Sequence, residues 1–314
     1  MPRCLVTGAS GFVGPHLRAL LLAGGHDVWT TDRTDAGHEQ HLRCELLDAA
    51  AVRDVLAAAR PEWIFHLAGL SSVAYSFTHP GEVLHVNLVG ACNVFEAMRA
   101  VTPRARILVV GSAEEYGAVD AARQPIHEDE PFRPASPYAV SKAAQELLAQ
   151  QYAASHGLDV VLARSFNHSG PGQSDRFVLP GFARQIAMVE QGRQEPLLLV
   201  GNLDVWRDFL DVRDVVRAYA HLLAHGDSRT AYNVCRGEAA RVGDLLDGLV
   251  RRARVTLRTE VDPERWRPSD LPVLRGDPGR LRSRTGWAPE LTLDQTLDDI
   301  LNDWRARVAA EAGA

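Results

Sequence analysis

The chain has 314 residues, 46% of them hydrophobic, and a formal net charge of −6. A chain of this length buries an ample core, in one large domain or in two closely joined ones. The 34 lysines and arginines are scattered rather than clustered, so we expect no nucleic-acid partner. The sequence starts without a signal-peptide h-region and holds no apolar run of ~18 residues, which predicts a cytoplasmic protein with no membrane partner.

The cysteines give no sign of a metal or disulfide framework. The chain has four of them, Cys4, Cys44, Cys92 and Cys235, and none is close to another in sequence. Because structural zinc sites and redox pairs use closely spaced cysteines, we expect reduced, mostly buried thiols and no metal.

The first predicted strand, 3–7, runs into a glycine-rich turn and a helix over 13–23. The turn contains Gly8, Gly11 and Gly14 in a Gly-x-x-Gly-x-x-Gly spacing, which departs from the commoner Gly-x-Gly-x-x-Gly form. Glycines here permit a tight turn and let the backbone approach a pyrophosphate at the helix N-terminus. We therefore expect Ser10, Phe12 and Val13 to bind the cofactor together with the three glycines. A glycine-rich turn without a ligand is the alternative.

The second predicted strand, 27–31, ends at Asp32, about 20 residues beyond the glycines. An acid at this place is positioned to hold the adenosine ribose hydroxyls. Its carboxylate would repel a 2′-phosphate, so NAD(H) is slightly favoured over NADP(H). Arg33 is the next residue, and its guanidinium could instead accept that phosphate, so NADP(H) stays open.

Strands and helices continue to alternate through the first half. Further strands are predicted at 62–67, 106–112 and 159–165, and helices at 49–59, 81–100 and 137–154, with later helices near 178–191 and from about 213. This alternation is typical of an α/β protein, here a Rossmann-like, doubly wound parallel sheet with a smaller C-terminal substrate-binding lobe. We expect the NAD(P)-binding domain to comprise 1–166, with about 203–235 returning to it. The substrate-binding lobe would comprise 167–202 and 236–314.

The predicted strand over 106–112 ends at Ser112, and a helix that starts after Ser136 carries Tyr138 and Lys142 one turn apart. Lys142 and the helix N-terminus would favour ionisation of the Tyr138 phenol and make it a usable acid/base. Ser112 would orient a substrate carbonyl oxygen. The alternatives are that Tyr138 and Lys142 form only a solvated surface pair and that Ser112 only ends the strand. One of Glu114 and Glu115 could be a base for a carbon acid, and we expect the other to be solvated.

These motifs resemble the extended short-chain dehydrogenase/reductases, in particular the NAD-dependent nucleotide-sugar epimerase/dehydratase branch. The matching pieces are Gly8-x-x-Gly11-x-x-Gly14, Asp32, His66-Leu67-Ala68-Gly69, Asn87-Leu88-Val89-Gly90, Gly111-Ser112, Tyr138-x-x-x-Lys142 and Thr285-Gly286-Trp287-Ala288-Pro289. The resemblance covers the whole chain. It implies that Leu67, Ala68, Gly69 and Asn87 also contact NAD(P), and that C4 of a sugar nucleotide is oxidised or reduced.

The C-terminal half resembles the group of GDP-mannose 4,6-dehydratases and GDP-4-keto-6-deoxy-mannose reductases. The matching motifs are Asn167-His168-Ser169-Gly170-Pro171-Gly172-Gln173, Phe177-Val178, Gly201-Asn202-Leu203-Asp204, Arg207-Asp208-Phe209 and Arg267-Pro268-Ser269-Asp270. The resemblance implies that Asn167, Val178, Arg207 and Arg267 bind a GDP-sugar, with Asp270 on the guanine edge. The alternatives are an Arg207 ion pair with Asp208 or Asp211 and a solvated Arg267.

Within this group we favour the reductase. The resembled dehydratases are typically longer, with Thr-Ser-Glu where this chain has Ser112-Ala113-Glu114, although Glu114 occupies the place of their base. The implied reaction is reduction of GDP-4-keto-6-deoxy-D-mannose to GDP-D-rhamnose. GDP-mannose 4,6-dehydratase, another nucleotide-sugar 4-epimerase/dehydratase and a non-catalytic cofactor sensor are the alternatives. The resemblance also implies a homodimer that pairs through 81–100 and 137–154, and Ala143, Ala144, Leu147 and Leu148 fit such a seam.

Overall fold

The computed structural model describes residues 1–265 and 272–312. The strands are β1 (Arg3–Thr7), β2 (Asp27–Asp32), β3 (His41–Arg43), β4 (Trp63–His66), β5 (Arg106–Ser112), β6 (Asp159–Ser165), β7 (Asn167–Ser169), β8 (Leu197–Val200), β9 (Trp206–Arg207), β10 (Phe209–Asp211), β11 (Ala231–Val234), β12 (Ala240–Arg241), β13 (Arg258–Val261) and β14 (Val273–Leu274). The helices are α1 (Val13–Ala23), α2 (Ala49–Ala59), α3 (Val73–Thr78), α4 (Pro80–Leu84), α5 (Gly90–Val101), α6 (Pro137–His156), α7 (Val178–Glu190), α8 (Val212–His225), α9 (Val242–Arg251), α10 (Gly279–Thr285) and α11 (Leu293–Ala312).

Seven parallel strands form the central sheet, in the order β11-β6-β5-β4-β1-β2-β3. The strands are short apolar runs, and Leu5, Ile64 and Leu108 are fully buried, as expected for a sheet covered on both faces. The sheet grows in one direction from β1 to β3 and in the other from β4 to β11. Ligands of such sheets bind beyond the carboxyl ends of the strands at this switch point.

Helices cover both faces of the sheet. One face packs against α2, α5 and α6 through a core that includes Val52, Phe95 and Tyr152. The opposite face packs against α1, α8 and α10 through a core that includes Leu17 and Tyr219. The Rossmann-like α/β fold predicted from the sequence is therefore confirmed.

A third core lies in the C-terminal half. It joins α7, α9 and α11 through Leu179, Ile186, Leu246 and Ile300. Three small sheets accompany it, with strand orders β10-β7, β12-β9-β14 and β13-β8. Between these segments the chain returns to the central sheet, because α8 packs on β5 and β6, and β11 pairs with β6.

Most predicted elements are present with small shifts of their ends, and β1, β5, β6, α1 and α2 have the predicted bounds. The helix predicted over 81–100 is interrupted by a π-helical turn, His85–Val89, between α4 and α5. Short 3₁₀ turns occupy Ala113–Tyr116 and Ala121–Arg123. Among residues 1–265 and 272–312, no helix is long and apolar enough to span a membrane.

Candidate active site

A cavity of about 730 Å³ opens at the carboxyl ends of the central strands, where the C-terminal segments meet the sheet. The predicted site residues that line it are Gly8, Gly11, Phe12, Val13, Gly14, Asp32, Arg33, Leu67, Ala68, Gly69, Ser112, Glu114, Tyr138, Lys142 and Asn167. Ser10, Asn87, Val178 and Arg207 are not among the lining residues. Arg267 and Asp270, predicted to bind the nucleotide, lie outside the residues that the structure describes.

The glycine-rich turn is packed too tightly for side chains. Gly8 has φ +69°, and a Cβ atom there would lie 2.7 Å from the Cα of Ala68. A Cβ on Gly14 would lie 2.2 Å from the carbonyl oxygen of Ala9. The turn therefore brings bare backbone to the floor of the cavity and leads directly into α1, as a pyrophosphate site requires.

Asp32 ends β2 beside this turn. Its carboxylate accepts hydrogen bonds from the backbone N–H of Ser10 at 3.0 Å and of Arg33 at 2.7 Å. Ser10, although not a lining residue, thus fixes the orientation of the Asp32 carboxylate. The Arg33 side chain is exposed at the cavity rim.

Asn87 lies behind the cavity and is buried in the π-helical turn. Its amide accepts from the backbone N–H of Leu70 at 2.7 Å and donates to the Leu70 carbonyl at 3.0 Å and to Ser141 Oγ at 2.8 Å. In this structure Asn87 therefore connects the loop that follows β4 to α6.

Ser136 begins α6 by accepting a hydrogen bond from the backbone N–H of Ala139 at 3.1 Å, and Pro137 occupies the first helical position. This start places Tyr138 and Lys142 on the cavity floor beside Ser112. Lys142 Nζ donates to the Val110 carbonyl at 2.7 Å and to Gln145 Oε1 at 2.9 Å. All four predicted catalytic residues, Ser112, Glu114, Tyr138 and Lys142, line one cavity.

Burial sets the protonation of these groups. It raises the pKa of Tyr138 well above the ordinary value, although a hydrogen bond with the Ser112 side chain lowers that pKa in part. Desolvation therefore opposes the expected ionisation of the phenol. Burial also lowers the pKa of Lys142 to about 8, and the negative charge of Glu115 opposes this effect.

The two adjacent glutamates have different surroundings. Glu114 lines the cavity, where burial raises its carboxyl pKa and Arg207 lowers it. Glu115 is fully buried, so it is not the solvated member that was expected of this pair. Its Oε1 accepts from the backbone N–H of Ser112 at 2.6 Å.

Arg207 is half-buried close to Glu114. Burial lowers the pKa of its guanidinium, and the charge of Glu114 raises it. The carboxylate of Asp208 accepts from the backbone N–H of Arg236 at 2.8 Å and of Gly237 at 2.9 Å, so this acid is engaged elsewhere.

Sequence reasoning missed His168 as a lining residue. Its ring stacks on Phe12, with centroids 6.0 Å apart and planes 8° apart, and burial lowers its pKa. The contact joins the glycine-rich turn to β7. The available signal was the Asn167-His168 motif, of which only the asparagine was singled out.

Comparison with known proteins identifies the family. The sequence model of the GDP-mannose 4,6 dehydratase family matches residues 5–300, so the chain belongs to this family. GDP-6-deoxy-D-mannose reductase of Pseudomonas aeruginosa is 43% identical over 98% of this chain and 99% of that protein. GDP-mannose 4,6-dehydratase of Vibrio cholerae serotype O1 is 27% identical over 95% of this chain and 92% of that protein.

Two solved structures of nucleotide-bound proteins are also similar to this chain. The structure of RMD from Pseudomonas aeruginosa, complexed with NADPH, is 41% identical, with a TM-score of 0.90 over 98% of this chain and all of that one (100%). UDP-glucose 4-epimerase of Thermus thermophilus, complexed with NAD, is 30% identical, with a TM-score of 0.86 over 96% of this chain and 99% of that one.

Proposed function

We propose that this protein is an NAD(P)H-dependent reductase that converts GDP-4-keto-6-deoxy-D-mannose to GDP-D-rhamnose. One observation carries the proposal: Ser112, Tyr138 and Lys142 lie together on the floor of one cavity with a glycine-rich turn at its edge. The near full-length similarity to the Pseudomonas aeruginosa reductase supports the choice of substrate.

The residues present fit a nicotinamide dinucleotide, because the tight turn at Gly8 and Gly14 lines the cavity and leads into the N-terminus of α1, where a pyrophosphate would bind. Asp32 would hold the adenosine ribose, with NAD(H) slightly favoured over NADP(H). The remaining proposed cofactor contacts are Ser10, Gly11, Phe12, Val13, Arg33, Leu67, Ala68, Gly69, Asn87, Tyr138 and Lys142. The reduced cofactor would supply the hydride that C4 of the sugar receives.

The chain's own groups would handle the proton. Tyr138 keeps its proton at neutral pH because burial raises its pKa, and it is placed to give that proton to the C4 oxygen. Ser112 would orient this oxygen by a hydrogen bond. Lys142 would hold the nicotinamide ribose and stabilise the phenolate that remains after proton transfer.

The nucleotide would be bound by the C-terminal segments, with 167–202 and 236–314 as the substrate-binding lobe and 1–166 with about 203–235 as the cofactor domain. Asn167 lines the cavity, and Arg207 lies near Glu114 at its edge. Two diphosphate charges call for guanidinium groups, which supports Arg207 in this role. Val178 begins α7 with an exposed side chain and would contact the sugar nucleotide from there.

A 4,6-dehydratase is the second candidate, because Glu114 lines the cavity and its raised pKa suits a general base. A dehydratase removes the C5 proton, expels the C6 hydroxyl and returns its hydride to C6, so it consumes no cofactor. A reductase breaks no bond at C5 and consumes one reduced cofactor for each product.

The test uses two reactions. The first supplies GDP-mannose with NAD⁺ or NADP⁺, and we expect no keto sugar. The second supplies GDP-4-keto-6-deoxy-D-mannose with reduced cofactor, and we expect stoichiometric loss of absorbance from the reduced nicotinamide. Glu114→Gln should retain the second reaction. Formation of keto sugar in the first reaction would show that the protein is a dehydratase and not a reductase.

We also propose a cytoplasmic homodimer. Val140 and Leu147 on α6 have exposed side chains, and so does Val89, the residue immediately before α5. Such an apolar helix pair suits burial against a two-fold mate. Ala143, predicted for the same seam, is buried within the subunit and is not available to a partner.

A further inference from the structure

Glu115 fixes the backbone of Ser112 from below the cavity floor. Its Oε1 accepts from the Ser112 N–H at 2.6 Å, while Ser112 Oγ accepts from the Glu114 N–H at 3.2 Å. These reciprocal bonds form a capping box at the start of the turn Ala113–Tyr116. The box uses an acceptor position of Ser112 Oγ and leaves its O–H to donate into the cavity.

Lys142 is bonded to the same end of β5. Its Nζ donates to the Val110 carbonyl at 2.7 Å, so Lys142 and Glu115 bond to the residues before and after Gly111. A Cβ on Gly111 would lie only 2.4 Å from Glu115 Oε1, which shows that the carboxylate packs directly on the strand.

Three charged groups surround Glu115: Glu146, Arg164 and Lys142. Arg164 is engaged by Glu146, with Nε–Oε2 at 3.0 Å and Nη2–Oε1 at 2.6 Å, and its Nε lies 3.9 Å from Glu115 Oε2. Among the described residues, Glu115 Oε2 has no hydrogen-bond partner. Two further groups lie near Lys142 or Glu115: burial lowers the pKa of His66 to about 3 and raises that of Tyr138.

We propose that Glu115 is a positioning residue of the proposed reductase, whose carboxyl group fixes Ser112 and whose negative charge, once it ionises, favours the charged form of Lys142 below the cavity floor. The inference rests on the proposed function for its effect on turnover. The electrostatic effect has a stated sign: burial lowers the pKa of Lys142, and the negative charge of Glu115 raises it. Loss of that charge therefore lowers the pKa of Lys142 further.

The test is Glu115→Gln, which keeps an acceptor for the Ser112 N–H and removes the charge. We expect the alkaline limb of the kcat–pH profile to move to lower pH by about one unit, with KM for the sugar nucleotide nearly unchanged. Glu128→Gln is the matched control, because Glu128 is also buried and accepts from the Asn233 N–H at 2.8 Å. Its profile should stay in place. A folded Glu115→Gln protein with the wild-type profile would overturn the proposal.

A second measurement needs no substrate and therefore separates this inference from the proposed function. Lys142→Met removes one of the two cations that lower the pKa of the buried Glu115 carboxyl, a pKa that burial already raises, and leaves Arg164 in place. A group with a raised folded-state pKa loses its stabilising effect as pH rises through that pKa. The urea midpoint of Lys142→Met should thus fall more than that of wild type between about pH 6 and about pH 9. Adding Glu115→Gln should remove the excess fall, and parallel midpoints of Lys142→Met and wild type would refute the pairing.

Discussion

Tyr138 gives the sharpest prediction for a single residue. Because burial raises the pKa of its phenol, the side chain is protonated at neutral pH and is suited to act as an acid in the reduction. Tyr138→Phe should lower kcat by about 10²–10⁴-fold, the usual range for general acid catalysis. The kcat is measured from the steady-state rate at which reduced cofactor is consumed with the keto sugar as substrate.

Cofactor binding is the control for this variant. The phenylalanine ring fills nearly the same volume, so a fluorescence titration with reduced cofactor should give a Kd close to that of wild type. Near-normal turnover by Tyr138→Phe would mean that another group supplies the proton.

Asp32 controls the choice of cofactor. Its carboxylate is held at the cavity edge by the Ser10 and Arg33 N–H groups, so a 2′-phosphate would meet a fixed negative charge. Wild type should bind NADH more tightly than NADPH, and Asp32→Ala should improve relative NADPH binding by about tenfold, equal to about 1.4 kcal/mol. Titrations of both proteins with NADH and with NADPH measure these affinities. Tighter NADPH binding by wild type would show that the Arg33 guanidinium accepts the 2′-phosphate despite the Asp32 carboxylate.

At the scale of elements, local sequence patterns predicted most of the sheet. The strands β1, β5 and β6 are continuous apolar runs, and their predicted bounds match because each is buried on both faces. β3 was not predicted, since it has only three residues and none of them is buried. Its pairing with β2 depends on tertiary contacts, which cannot be predicted from the local sequence of so short a segment.

The site was predicted where residue type and chain position agree. Ser112, Tyr138 and Lys142 lie at predictable ends of a strand and a helix, and the cavity contains all three. Glu115 was misjudged because adjacent acids suggest solvent. Its three-residue spacing from Ser112 is that of a capping box, which was the available signal. Its contact with buried charges on β6 and α6 depends on the fold.

The glycine-rich turn gives a prediction at this scale. Gly14→Ala would force a methyl group to 2.2 Å from the Ala9 carbonyl, so the turn must shift. We expect a loss of stability of about 1–3 kcal/mol, as for other overpacked sites, together with weaker cofactor binding. Urea unfolding and cofactor titration measure the two effects.

Gly81→Ala is the matched control. A Cβ at Gly81 in α4 meets no atom within 4 Å, and alanine favours the helix by about 1 kcal/mol. This variant should be as stable as wild type or more so. Equal stability and equal cofactor affinity of the two variants would show that the backbone at Gly14 tolerates a side chain.

For the whole molecule, the proposed dimer predicts the effect of a charge on α6. Leu147 is 56% exposed in the single subunit, and burial of a glutamate at an apolar seam is unfavourable. Leu147→Glu should dissociate the dimer into a species of 34.4 kDa, measured by light scattering at micromolar concentration. Leu22→Glu, at a similarly exposed position on α1, should leave the dimer intact. A wild-type protein that is already 34.4 kDa would refute the dimer.

The position of β11 at the edge of the sheet has a consequence for the nascent chain during synthesis. β6 ends at Ser165, but its outer neighbour β11 is not synthesised until Ala231–Val234 emerge. Asn233 on that strand also accepts from the Tyr116 hydroxyl at 2.7 Å and donates to Glu128 Oε1 at 2.8 Å, which completes polar pairing deep in the interior. While the ribosome adds the intervening residues, β6 presents an unpaired edge, a surface on which chains aggregate and chaperones act.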